Sequence, residues 1–286
     1  MTTNVLSALI NILNYGRNDI QNIYVGRNRA NHMGDALEYF VKDAFCNTFN
    51  IEDLETKSET YLQYFSYLGN SNNPPDFIIR NGEAVEVKKT ETKSPDLQLN
   101  SSYPKNKLYY DDSRITNSCR ESDGGTWTER TIIYSMGYIK NNLLKELFFV
   151  DGECYAANRM VYENVLYRAK KGIEYIFDES ELYETKEIGR INKTDALGSA
   201  YLRVRPMWIL KHPRKVFENY LNINEQAKLN VVAILPKEKY LDYSNLEEFE
   251  QIVAQNDCIN LSYVNIPSPN NPDEEIEVVI IHISLQ

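Results

Sequence analysis

Apolar residues recur along this chain in two rhythms, and the switches between them lay out its elements. Val5, Leu6, Leu9, Ile10 and Leu13 follow helical spacing, so residues 2–14 are predicted to form a helix. A polar and basic stretch over 15–31 holds Arg17, Arg27 and Arg29. A stronger helical face follows: Met33, Leu37, Phe40, Val41, Ala44 and Phe45 return every three or four positions across 33–47, with Asp35, Glu38 and Lys42 on other faces. The aromatic-rich Tyr61 to Leu68 predicts a first strand, followed by a polar turn over 69–73. Pro74 to Lys88 reads as two short strands joined at Asn81-Gly82, which supply the positive φ angles of a type I′ turn.

Thr90 to Gly125 has few apolar residues to bury, and a loop of that length inside a folded chain is disordered or functional. Apolar runs at 132–139 and 147–150 predict strands that extend the sheet, and Asp151-Gly152-Glu153 turns the chain into a helix over about 156–171. Residues 173–192 alternate acids and apolars without a period. Tyr201 to Arg205 alternates as a strand does, placing Arg203 and Arg205 on one face, and Pro206-Met207-Trp208 ends it. Val231 to Leu235 predicts a core strand, Asn245 to Ala254 an acidic helix, and 259–264 and 276–283 two further strands. With no linker or repeat, the 286 residues are expected to form one elaborated α/β domain, with a core at about 30–155 and a C-terminal part at about 190–286 that extends the sheet.

Charge sharpens this picture. The net charge of −10 argues against a general nucleic-acid coat, yet it is unevenly placed. Arg190 to Val216 carries seven Lys or Arg against the single acid Asp195, whereas Lys237 to Gln286 carries ten acids against two lysines. Such segregation allows a positively lined cleft on an acidic body. Cys46, Cys119, Cys154 and Cys258 are too far apart to suggest a zinc site and read as reduced thiols of a cytoplasmic protein. No stretch approaches the length of a membrane span, and the N-terminal apolar face lacks the pattern of a signal peptide.

The chemistry gathers at the hairpin. Glu86 and Lys88, two residues apart on the second strand, share one face, while Val85 and Val87 take the other; Asp76 enters from the first strand. Two carboxylates beside an ammonium among Val and Ile cost desolvation unless something uses the charges. A Mg²⁺ ion held by Asp76 and Glu86 would use them, with Lys88 orienting a water or steadying a phosphate. An ordinary exposed hairpin with a Glu86–Lys88 pair is the competing reading.

Pro75-Asp76 followed by Glu86-Val87-Lys88 resembles the signature of the PD-(D/E)XK nucleases. That resemblance implies a central mixed β-sheet flanked by helices, and a glutamate offered to the metal site by a preceding helix, which makes Glu38 the third carboxylate. Nearly 200 residues follow the triad, enough for a sequence-reading surface, which favours a type II restriction endonuclease. Asn28 to Glu38 together with the Asp76–Lys88 hairpin is similar to the NgoPII-like restriction enzymes. The resemblance implies Mg²⁺-dependent hydrolysis of double-stranded DNA at a short palindromic GC-rich site such as GGCC, leaving a 5′-phosphate and a 3′-hydroxyl. It also implies a homodimer and a cognate DNA methyltransferase in the same cell. Lys93, Lys105, Lys107, Arg114 and Arg120 after the motif, and Arg203, Arg205 and Lys211 in the basic stretch, are the expected DNA contacts. A repair or structure-specific nuclease and a non-catalytic DNA-binding module are the alternatives.

Overall fold

The computed structural model describes residues 1–20, 29–70, 72–178, 180–185 and 187–286, and over 29–35 the helical backbone alone. Arg27 therefore lies outside the described residues, as do the side chains of Arg29, Met33 and Asp35. Helices α1 (Val5–Tyr15), α2 (Arg29–Cys46) and α3 (Leu54–Tyr64) precede strands β1 (Phe65–Tyr67), β2 (Phe77–Ile79) and β3 (Ala84–Thr90). Next come β4 (Leu97–Asn100), β5 (Lys107–Tyr109), the short α4 (Asn117–Arg120) and the long hairpin of β6 (Glu129–Lys140) and β7 (Leu143–Asp151). After α5 (Gly152–Tyr155) and α6 (Arg159–Ile176) the chain forms β8 (Gly189–Ile191), β9 (Leu202–Val204), β10 (Trp208–Leu210) and α7 (Pro213–Val216). It closes with β11 (Leu229–Pro236), α8 (Lys237–Asp242), α9 (Leu246–Gln255), β12 (Ile259–Pro267) and β13 (Glu275–Leu285).

One nine-stranded sheet organises these elements in the order β1-β2-β3-β6-β7-β11-β13-β12, with β5 added on β6. β3 runs parallel to β6 and β7 parallel to β11, while the other neighbours are antiparallel. The fold is thus mixed α/β with a central mixed sheet flanked by helices, as the resemblance implied. Both faces of its middle are covered. Val85, Ile133, Phe149, Val231 and Val279 pack under α1, α2 and α9. Ala84, Tyr134, Phe148, Val232 and Ile280 pack on the other side with Leu97, Tyr155, Leu210 and Phe217. A strand covered on both faces has no polar side, which is why Val231 to Leu235 is an unbroken apolar run.

α2 lies close on β6 because Gly137 leaves room for it: a Cβ there would stand 2.6 Å from Leu37 Cδ1. α3 is tied to α2 by a buried cluster in which Lys57 Nζ sits 2.6 Å from Asp43 Oδ2 and the Tyr61 hydroxyl donates to Asp43 Oδ1 at 2.6 Å. Among the described residues no helix is long and apolar enough to cross a membrane.

Several local expectations need correction. The aromatic stretch after Thr56 finishes a helix before it starts a strand: Tyr61 and Tyr64 belong to α3, and only Phe65–Tyr67 is extended. The Asn81-Gly82 turn is not a two-residue type I′ turn. Asn81 has φ 56°, Gly82 is not among the positive-φ glycines, and the Gly82 amide closes the turn on the Ile79 carbonyl at 2.9 Å. The polar stretch from Thr90 to Gly125 is neither disordered nor featureless, for it contains β4, β5 and α4. Trp208, read as the end of the basic strand, instead begins β10, which pairs with β4 far away in sequence.

Candidate active site

Asp76, Glu86 and Lys88 converge in one cleft of about 310 Å³ on the edge of the sheet. The hairpin explains the placement. Phe77 pairs with Val85, so Asp76 stands just before β2, opposite Glu86, and its Oδ2 accepts the Val87 amide at 2.5 Å. Glu86 and Lys88 face the same side of β3 and register with Tyr134 and Met136 on β6, so their stems lie against the apolar second face. Gly69 completes the arrangement from behind. It has φ +42°, and a Cβ there would come within 2.2 Å of the Asp76 carbonyl oxygen, so only glycine lets the backbone at 69 stand against that of Asp76.

The electrostatics are those of crowded acids. Burial and the neighbouring Glu86 carboxylate, with a smaller contribution from Glu38, push Asp76 up to about 8 even though Lys88 opposes them. Lys88 Nζ lies 2.5 Å from Glu86 Oε1; burial works against its charge, but Glu86 and Asp76 outweigh it and hold the ammonium above the usual lysine value. Glu86 Oε2 is buried with no hydrogen-bond partner. An unpaired buried carboxylate oxygen costs about 1–3 kcal/mol or more, so the site is left short of positive charge at that oxygen. Two carboxylates of this kind, one with an orphan oxygen, suit a hard divalent cation.

Glu38 sits on α2 at the margin of this site. Its charge acts on Asp76 and Lys88, but its Oε1 is held 2.5 Å from Lys42 Nζ. Among the described residues no three acidic, His or Cys side chains stand together as a metal-binding group; Asp76 and Glu86 are the pair that could hold a cation, with Glu38 at the margin.

Of the basic residues expected to contact DNA, Lys105 lines the cleft. Its ammonium is almost fully buried, is held below the usual lysine value by burial and Arg114, and is paired with Asp112. Burial opposes the Asp112 charge, yet Lys105 and Arg114 hold that carboxyl down to about 2. Arg114 Nε lies 3.2 Å from Asp112 Oδ1, and Arg120 spends its guanidinium on the carbonyls of Tyr110, Ile115 and Asp112. Lys107 bridges Glu129 at 2.8 Å and Glu153 at 3.3 Å, and Lys93 meets Glu225 at 2.5 Å. Arg203 stands on β9 and Arg205 just past its end, and both reach the carboxylate of Glu187 with their side chains about half exposed. Lys211 follows β10 with its side chain exposed, and its carbonyl accepts the Tyr155 hydroxyl.

Sequence reasoning missed two parts of the site. Tyr134 stands behind Glu86 and accepts the Lys105 amide at 2.8 Å, which welds the polar segment after β4 to the sheet. β4 itself lines the cleft with Gln98, Leu99 and Asn100. Nothing in a polar stretch between Ser and Asn residues distinguishes a strand, and only the distant β10 makes β4 one.

Comparison with known proteins gives the chain a family. No solved structure matches the chain. The chain is 39% identical over 270 residues to the type II restriction enzyme NgoPII of Neisseria gonorrhoeae, covering 94% of this chain and 95% of that one. The model of the NgoPII restriction endonuclease family matches residues 3–267, a span that contains α2, the hairpin, the cleft and the basic strand. With its two carboxylates and lysine held on one hairpin inside that span, the chain belongs to the NgoPII restriction endonuclease family.

Proposed function

We propose that this protein is a type II restriction endonuclease that hydrolyses double-stranded DNA at a short palindromic site in a Mg²⁺-dependent reaction of the PD-(D/E)XK kind. The observation that carries this reading is the convergence of Asp76, Glu86 and Lys88 in one cleft of a chain from this family.

Asp76 and Glu86 would hold the cation, for which the unpaired Glu86 Oε2 and the raised Asp76 carboxyl leave a place. Magnesium supplies charge neutralisation and Lewis-acid polarisation at a phosphodiester. Lys88, anchored by Glu86, directs its remaining N–H bonds at the attacking water or at a phosphate oxygen as negative charge builds there. Glu38 adds negative charge at the margin and helps orient that water. In-line attack forms the new bond from water oxygen to phosphorus and breaks the bond to the 3′ oxygen, leaving a 5′-phosphate and a 3′-hydroxyl. A GC-rich site such as GGCC, a two-fold homodimer matched to a palindrome, a cytoplasmic setting and a methyltransferase that protects the host site complete the reading.

The test is digestion of long duplex DNA with Mg²⁺ beside an EDTA control and a Glu86→Ala protein. Discrete fragments that vanish in both controls are the expected result. Uncut but retarded DNA would point to a non-catalytic binding module, and preference for flaps or junctions to a repair nuclease.

A further inference from the structure

β4 lines the cleft that holds the acids and pairs with β10 in a ribbon of two antiparallel strands outside the main sheet. Its residues alternate. Leu97 and Leu210 face each other across the ribbon, 7% and 8% exposed, and Leu99 packs on the same apolar cluster. Gln98 and Asn100 on either side of it are both exposed and, with Leu99, line the cleft that holds Asp76, Glu86 and Lys88. Across from Gln98 stands Ile209, 59% exposed. Among the described residues neither amide has a side-chain hydrogen bond, whereas the neighbouring cations Lys105 and Arg114 are engaged with Asp112.

We propose that Gln98 and Asn100 read base edges next to the scissile phosphate, making the β4–β10 ribbon the specificity element of the enzyme. The inference rests on the type II reading of the same cleft. A two-stranded ribbon fits the major groove of B-form DNA, and carboxamides, which carry both donors and an acceptor, match the mixed donor and acceptor pattern displayed there. They are neutral, so they add nothing to the attraction for phosphate and spend their hydrogen bonds on discrimination. Because they share a cleft with the catalytic groups, the base pairs they reach are those flanking the bond that is cut. The leucines pinned in the core hold the ribbon at fixed height, and the exposed Ile209 offers an apolar contact beside Gln98.

The experiment measures cleavage rates with Mg²⁺ on a duplex library that contains every short site, sequencing the cut ends. Wild type, Gln98→Ala, Gln98→Glu and Asn100→Asp are compared; Asn100 has φ 51°, which aspartate tolerates. Each variant is expected to cut the preferred site about tenfold to a hundredfold more slowly while sites altered at one base pair lose far less, so discrimination at that position collapses. An unchanged ranking of sites, or a loss uniform over all sites, overturns the proposal. A variant that cuts nothing is examined for binding to the same library with Ca²⁺ in place of Mg²⁺: flattened preference supports the proposal, and retained preference overturns it. A wild type that cuts no site removes the type II reading itself, and the proposal falls with it.

Discussion

Lys88 Nζ lies 2.5 Å from Glu86 Oε1, two residues earlier on the same strand, while Glu86 Oε2 is buried and unpaired. One carboxylate oxygen anchors the lysine and the other has no partner, the place the proposed reaction gives to a cation. Lys88→Ala is therefore expected to reduce single-turnover cleavage by at least ~100-fold, the scale of losing one charge-stabilising donor. DNA affinity should change little, since one ammonium contributes a small part of phosphate binding. Substantial cutting by this variant would remove Lys88 from the mechanism.

The crowding of Asp76 is a cost in the absence of a cation. Its folded-state pKa of about 8 exceeds the ordinary carboxylate value, so the folded protein holds a proton that the unfolded chain releases, and stability falls as pH rises toward 8. Asp76→Asn removes this loss. At pH 8 without metal the variant should unfold several degrees above the wild type, at about 2–4 °C for each kcal/mol gained. Added Mg²⁺ should raise the wild-type midpoint and leave the variant unmoved. Equal midpoints without metal, or equal responses to it, would contradict the arrangement.

Gly69 touches the reaction only through backbone. A methyl group at 69 would lie 2.2 Å from the Asp76 carbonyl oxygen at a φ of +42°, so Gly69→Ala must push Asp76 from its place. A displacement of about 1 Å costs a reaction of this kind on the order of a hundredfold. Cleavage should drop by about that factor with DNA binding retained, as read from single-turnover rates and binding isotherms on the same duplex. Wild-type rates would show that the loop yields instead.

Lys239 lies 3.0 Å from Glu83 Oε1 and 2.8 Å from Asp151 Oδ2, and the Tyr243 hydroxyl donates to Glu83 at 3.0 Å. This cluster ties the start of β3 to the end of β7 and to α8. Lys239→Met leaves two buried carboxylates without their counter-ion, which costs about 3–5 kcal/mol. Urea unfolding measures the loss, and a change below about 1 kcal/mol would mean that Tyr243 and solvent suffice.

His212 is buried edge-on against Phe148, its Nδ1 accepts the Arg214 amide at 3.1 Å, and its Nε2 has no partner. Burial, with Arg214 and Lys215 beside it, holds its pKa down to about 4. Between the unfolded value of about 6.5 and that point the unfolded chain takes up a proton that the folded chain refuses, so stability falls as pH drops, by about 3 kcal/mol over the whole window. His212→Asn keeps an acceptor for the Arg214 amide and does not titrate. Its stability should fall less steeply than the wild type between pH 7 and pH 4.5, and parallel curves would place the acid sensitivity elsewhere.

The sequence by itself determined the elements whose partners are local or whose burial is complete. The apolar face of α2, the run of β11 and the 77–88 hairpin were legible because helical spacing, continuous burial and a Pro-Asp to Glu-Val-Lys pattern are written in adjacent residues. The convergence of Asp76, Glu86 and Lys88 was legible for the same reason, since the three lie within one supersecondary unit. Tertiary structure alone decided what depends on distant partners. It made a strand of Leu97–Asn100 by pairing it with Trp208–Leu210 and set Gly69 against Asp76. It also engaged Lys105, Arg114 and Arg120, which read in sequence as DNA contacts, with Asp112 and nearby carbonyls. A charge takes its role from what stands a few ångströms away, and in a sheet assembled from strands far apart in the chain those neighbours have no fixed spacing in sequence.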